Sequence, residues 1–503
     1  MKRVKTVLSV LLLILLVSSL CACKKEEPIG EYYSFRALRR LPTHSMAVSL
    51  GEYNFEDFFG QGGMIKVSQG EGADKKYGAV NADGEVVLPA RYVSLSMQGD
   101  FFLAEESADS LVFYVMDSEG EVVCSSPNRL EITDVGEGCV AVVEGDFSFL
   151  CHRTKGEILS MHVLDKTYDY ASCGKYVLAR SLSHGKIYIF SAQTGERLFE
   201  FSGTSALSYD AHYLGGDDFL VIRNEWTDEN GNYTFLIKNG DAYDYIKQTI
   251  YKYTVGAATP RTVKVDRPIS AIRSRYSFGL SEYDRQSIRL KEGYFSVRYY
   301  RTEGKVTDGT TAYYLADASL KELASLPGGG DPLSFVTYEG KGVCEDAYGS
   351  IYLLNDSLEV LAKIDDAVYQ SISFSGEIVT ASKLVNGVRK LGGFDLSGRE
   401  VVPFAYNYLS GFVGGKAIGV KSGNAYLIDA SGGETYLTEE VFPYQWDGFY
   451  EKAENGKIGL NSFDQTQILP CVFTALVGVS RYGDEVLAAL SKSEGKTEVY
   501  RLF

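Results

Sequence analysis

The sequence has little of what single-site chemistry needs. Its five histidines, His44, His152, His162, His184 and His212, are scattered over 503 residues, with no HExxH and no Cys/His cluster. A zinc or iron centre is therefore not expected. There is no GxSxG elbow, no P-loop and no GxGxxG following a strand, so the usual nucleophile and phosphate-cradling motifs are missing. Asp228-Glu229-Asn230-Gly231-Asn232 lacks the spaced ligands and distal glutamate of a calcium loop and reads as a hairpin turn. Paired carboxylates of the glycosidase kind leave no sequence trace among 66 acidic residues, which keeps a polysaccharide-acting enzyme as an alternative reading. No catalytic, cofactor-binding or metal-binding residue is singled out.

Positive charge is also short: 50 basic residues stand against 66 acidic ones, a formal net charge of −16. Such a surface repels polyanions over most of its area, so a nucleic-acid partner is not expected. Proline (11) and tryptophan (2) are rare, whereas glycine (52) and tyrosine (36) are abundant, a composition that suits many short strands joined by tight turns. Beyond Cys23 the cysteines are Cys124, Cys139, Cys151, Cys173, Cys344 and Cys471, irregularly spaced and without a CxxC. Their even number permits disulfides in an exported chain. Each lies in or beside an apolar strand segment, so buried free thiols are an equal reading.

The one strongly apolar run is N-terminal. Lys2, Arg3 and Lys5 form a positive start, Val7 to Val17 is uncharged and too short to span a bilayer comfortably, and Leu20-Cys21-Ala22-Cys23 follows. This order resembles a bacterial lipoprotein signal. The resemblance implies cleavage before Cys23, a lipid on the Cys23 thiol, and an extracytoplasmic protein held on the cell membrane. On that reading 1–22 is removed, 23–45 is the lipidated cysteine with a charged tether, and 46–503 is the folded body.

The body repeats one grammar. In Lys76 to Glu105, KYGAVNADGEVVLPARYVSLSMQGDFFLAE, short apolar strands alternate with turns, and Asp83-Gly84 predicts a hairpin turn with both central residues at positive φ. Taken in this phase, units begin near Tyr77, Leu111, Phe147, Lys186, Tyr233, Ala312, Ser350, Lys390, Asn424 and Lys457, with a fragment at Thr497. Most are roughly 35–40 residues long, enough for four short strands, the dimension of a propeller blade. The phrases at Lys76, at Gly392 to Val420 and at Gly456 to Leu490 share a strand, a turn, a strand ending in Leu-Pro or Val-Pro, an aromatic residue and a glycine-containing turn. They resemble the WG repeat family, with Tyr77-Gly78 where that family has Trp-Gly.

The fold expected is thus all-β: a propeller-like array of about ten to eleven four-stranded units, in one large or two smaller rings, with an open β-solenoid as the runner-up. Lys496 to Phe503 supplies a first strand, and Met46 to Gln69 supplies later strands without a first. A blade built from both termini would close the ring and remove its exposed edges. The family resemblance implies an interaction scaffold rather than an enzyme.

Charge reverses locally between Lys247 and Lys291. Lys247, Lys252, Arg261, Lys264, Arg267, Arg273, Arg275, Arg285, Arg289 and Lys291 stand against only Asp266, Glu282 and Asp284. We read this stretch, about 247–291, as a basic insertion, with Lys264, Arg267, Arg273 and Arg275 as candidate contacts to an anionic partner. The competing reading folds it back on the acidic body. The function expected is a membrane-anchored binding scaffold for a protein or an anionic envelope polymer, with a solute- or signal-sensing lipoprotein as a further alternative.

Overall fold

A computed structural model describes residues 41–503, apart from several short segments and two longer ones, 228–244 and 278–289. The signal, Cys23 and most of the tether, including Arg36, Arg39 and Arg40, lie outside the described residues. Among the described residues the chain forms forty-four strands and two single-turn 3₁₀ segments, Gly72–Asp74 and Pro327–Gly329. The strands make eleven antiparallel four-stranded blades. Blade 1 spans 54–92, blade 2 94–126, blade 3 130–165, blade 4 168–201, blade 5 207–263 and blade 6 269–325. Blade 7 spans 336–364, blade 8 367–406, blade 9 408–439, blade 10 445–473 and blade 11 475–502. A bridge between Tyr245 and Lys305 joins blades 5 and 6 into one eight-stranded sheet.

The first strands of neighbouring blades approach one another, as Ser94–Gln98 does Leu130–Gly136 and Asn54–Phe59 does Ala475–Tyr482. They are the inner strands of a propeller, and the fourth strands form its rim. Every seam between consecutive blades has its own buried apolar cluster, from Phe59, Tyr92 and Phe102 between blades 1 and 2 to Phe449, Phe473 and Leu490 between blades 10 and 11. The closing seam joins Val48, Leu487 and Val499 of blade 11 to Ile65 and Val67 of blade 1. The array is therefore one ring of eleven blades.

Closure uses both ends of the chain. Ser45–Val48 pairs antiparallel with the last strand, Thr497–Leu502, from Ser45 opposite Leu502 to Val48 opposite Val499. The expected blade of mixed termini is present, but only Ser45–Val48 crosses into it. Asn54–Phe59 and Met64–Gln69 are the first two strands of blade 1. Apart from Tyr233, which lies outside the described residues, the unit starts fall at the third strands of their blades, so these units straddle two blades.

The turn at Asp83-Gly84 also differs from expectation. Only Gly84 has positive φ (87°), and its amide donates to the Asn81 carbonyl at 3.0 Å. This is a type I turn closed by a left-handed glycine, a geometry in which Asp83 keeps its ordinary φ. The Asn81 side chain fixes it by accepting from the amides of Asp83 and Glu85. Asp117, Asp317, Asp395 and Asp429 do the same between the third and fourth strands of their blades. Two-residue turns with both residues at positive φ occur between second and third strands, at Asn386-Gly387, Ser422-Gly423 and Asn455-Gly456, and between first and second strands at Gly414-Gly415.

The glycine of the Tyr-Gly phrase has a steric reason. A Cβ on Gly78 would lie 2.5 Å from the Leu88 carbonyl oxygen, and one on Gly459 would lie 2.5 Å from that of Leu469. At both places the rim strand carries a proline, Pro89 or Pro470, and its register shifts against the third strand. A strand with a bulge can press this close only where its neighbour has no side chain.

Candidate binding surfaces

The stretch expected as a basic insertion is mostly woven into the ring. Lys247 and Lys252 lie in the third strand of blade 5 (Tyr245–Thr254), Arg261 in its fourth strand (Arg261–Val263) and Arg273 in the first strand of blade 6 (Ile269–Arg273). Arg275, Arg285, Arg289, Lys291 and the unit start at Tyr233 lie outside the described residues. What projects is a different pair of elements: the long second-to-third strand pairs of blades 5 and 6, which meet at Tyr245 and Lys305.

The structure brings Lys264 and Arg267 together and sets Arg273 apart. Lys264 and Arg267 line a groove of about 450 Å³ with Asp266, Tyr299, Ser319, Lys321 and Glu322, where the linker after blade 5 meets blade 6. Arg267 pairs with Glu322 at 2.9 Å and lies 5.0 Å from the Tyr299 ring centre. Tyr299 is buried and donates to the Leu320 carbonyl at 3.4 Å, and burial pushes its phenol up to about 12. Arg273 instead pairs with Asp331 at 3.3 Å. Lys252 meets Asp218 at 2.7 Å, and Arg223 meets the buried Glu225 at 2.6 Å. Much of the local positive charge is thus matched by the ring's own acids. Lys264 and Lys321 are exposed and have no ion pair among the described residues.

Sequence reasoning missed a second cavity, of about 780 Å³, between the inner parts of blades 2 and 3. Ser94, Ser96 and Gln98 alternate along the inner strand of blade 2 and are exposed, while Leu95 between them is buried. Glu105 and Phe113 continue this wall outward, because Ser94 pairs with Glu105 and Glu105 with Phe113 across the sheet. Blade 3 supplies Arg129, Leu130, Glu131 and Ile132. The alternation Ser-Leu-Ser-Met-Gln was the available signal: polar side chains on the strand face that should pack against a neighbouring blade.

A third polar group sits on the first two strands of blade 4 and the first strand of blade 5. Arg180 bridges Asp169 at 3.1 Å and Asp210 at 3.3 Å, and the buried His212 ring lies 3.3 Å from Asp210. Although burial works against it, the Asp210 carboxyl is held below its usual range by His212 and Arg180. No group of three or more metal-ligating side chains occurs among the described residues. All six cysteines after Cys23 are free. Cys124 of blade 2 packs beside Cys151 of blade 3, and burial pushes Cys344 up to about 12, so that thiol is an inert hydrophobe.

A family model described as a WG-containing repeat matches residues 394–424. That segment runs from the third strand of blade 8 through the first two strands of blade 9, the same straddling phase as the sequence unit. No curated protein matches the chain. Among solved structures, the computationally designed Ika8 protein is similar at 12% identity, covering 82% of this chain and 96% of its own, with a TM-score of 0.22. BamB from Moraxella catarrhalis is similar at 11% identity, covering 68% of this chain and 95% of its own, with a TM-score of 0.28. The chain carries a WG-containing repeat, set in an eleven-bladed β-propeller.

Proposed function

We propose that this protein is a bacterial extracytoplasmic lipoprotein whose lipid on Cys23 tethers the propeller to the membrane, where the ring is a non-enzymatic binding scaffold for a protein or an anionic envelope polymer. The observation that carries the reading is the N-terminal order of positive start, short apolar run and Leu20-Cys21-Ala22-Cys23, followed by a short link into the ring. At about 3.5 Å per extended residue, the link from Cys23 to Leu41 reaches roughly 60 Å. Leu41 and Pro42 pack against Val413, Gly414 and Gly448, in loops between first and second strands. The opposite face, which carries the joined hairpins of blades 5 and 6, is then turned away from the point of attachment. Exposed Lys264 and Lys321 offer local positive charge on an otherwise acidic body.

Metabolic labelling with an alkyne fatty acid, followed by proximity crosslinking and mass spectrometry on intact cells, tests this. We expect label on the wild type, none on Cys23→Ala, and a discrete set of envelope partners captured only by the lipidated form. Equal labelling of both proteins would defeat the anchoring. If labelling succeeds and no partner is captured, the scaffold role fails while the anchor stands.

A further inference from the structure

We propose that the cleft between blades 2 and 3 binds a short, uncharged oligosaccharide. Its volume, about 780 Å³, falls within the range of small-ligand sites. Ser94, Ser96 and Gln98 lie along one strand face, and at roughly 3.4 Å per residue they form a row about 14 Å long. The row supplies two hydroxyls and an amide, groups that both donate and accept, as a run of sugar hydroxyls requires.

Charge in the cleft is mixed. Arg129 comes from one wall with Glu131, and Glu105 from the other. None of the three has an ion pair among the described residues, so their donors and acceptors are open to a ligand. Two carboxylates with one guanidinium disfavour a polyanion and give a cation only one net charge. They suit hydroxyl groups, which accept from the guanidinium and donate to the carboxylates.

The floor is apolar. Leu103 and Phe113 of blade 2 are half-buried and face Ile132 of blade 3. An aromatic ring beside a polar row matches the amphiphilic character of a sugar, whose ring faces carry C–H groups and whose edge carries hydroxyls. The cleft lies wholly within the ring, so the inference does not depend on lipidation of Cys23.

The test is calorimetric titration of the full-length protein in detergent with defined tri- to hexasaccharides of glucose, mannose and N-acetylglucosamine, and separately with a pool of unstructured peptides. We expect at least one saccharide series to bind with a Kd below about 1 mM. Ser96→Trp, which fills the cleft from an exposed position, should weaken that binding at least about tenfold without lowering Tm. Arg129→Ala should weaken it by a smaller factor. Silence across all three series would overturn the proposal. So would saccharide binding that Ser96→Trp leaves unchanged, or binding of peptides alone.

Discussion

Blades 1, 8 and 10 close differently from blades 2, 4, 6 and 7. The first group ends in seven-residue rim strands with proline fourth, Val86–Tyr92, Glu400–Tyr406 and Gln467–Phe473. The second group ends in rim strands of four or five residues without proline, such as Val122–Ser126 and Glu322–Ser325. In the first group the rim strand presses onto a glycine three residues before the turn (Gly78, Gly392 or Gly459) and ends in a buried aromatic, Tyr92, Tyr406 or Phe473. That ring plugs the next seam. In blade 2 the position of Gly78 is taken by Tyr114, three residues before Asp117, and no aromatic follows the rim strand. The larger cavity described above lies at the seam that follows blade 2, which lacks the plug. At that seam, where the phrase has drifted, a cleft remains between the inner parts of the blades beside the buried apolar cluster.

The strongest way to break this comparison is at the glycine. Gly78→Val should cost about 5 kcal/mol, because the new side chain meets backbone that cannot move aside, and soluble yield and Tm should both collapse. Tyr114→Val at the equivalent place in blade 2 should cost only about 1–2 kcal/mol. Similar losses at both sites would show that the close crossing is not what separates the two kinds of blade. Next in size is the plug itself. Phe473→Ala should cost about 3–5 kcal/mol, read as a fall in Tm and as entry of a small apolar dye into the seam.

A smaller effect separates the regions by pH. The Tyr299 phenol, between blades 5 and 6, is pushed up to about 12, and Tyr406, in a plug, is pushed up by burial and by its hydrogen bond to Glu434. Both folded values lie above the unfolded value near 10. The folded state therefore keeps protons that the unfolded state releases, and stability present below about pH 10 is lost as pH rises through the folded values. Each tyrosine contributes a slope of up to about 1.4 kcal/mol per pH unit. Between pH 10 and 11, Tyr299→Phe and Tyr406→Phe should each flatten the decline of Tm, and an unchanged decline would refute the assignment.

The smallest prediction concerns what the two groups share. Asp117→Ala in blade 2 and Asp395→Ala in blade 8 each remove an acceptor from two turn amides and should each cost about 1 kcal/mol. The Asn variants, which keep the accepting oxygen, should be nearly neutral. A large inequality between the two sites would mean that the turn is also part of the difference.

The fold was largely legible because its evidence is local and repeated. Strand, turn and strand recur at a blade's length, and the ends of the chain read as complementary fragments. The phase was not legible, since a periodic pattern does not say where a blade begins. Asp83-Gly84 was misread because a dipeptide does not reveal whether its first residue keeps negative φ, and this one does with the Asn81 side chain capping the turn. The basic run read as an insertion because its spacing was measured from Tyr233, whereas the third strand of blade 5 starts at Tyr245. Of the candidate cations, sequence named Lys264 and Arg267, which do share a groove. It could not show that Arg267 and Arg273 meet Glu322 and Asp331, partners more than fifty residues away. The cleft between blades 2 and 3 joins residues from two sheets and was hidden for the same reason.

The way the ring is fastened also has a mechanical consequence. Any pull transmitted through residues before Leu41 falls first on the packing of Leu41 and Pro42 against loops of blades 9 and 10, and then on the closing strand, where Thr43 and His44 meet Phe503. Only Ser45–Val48 then stands between the load and the free edge of Thr497–Leu502. A pull at that end would peel this four-residue clasp from its neighbour before it unpaired the strands of any other blade.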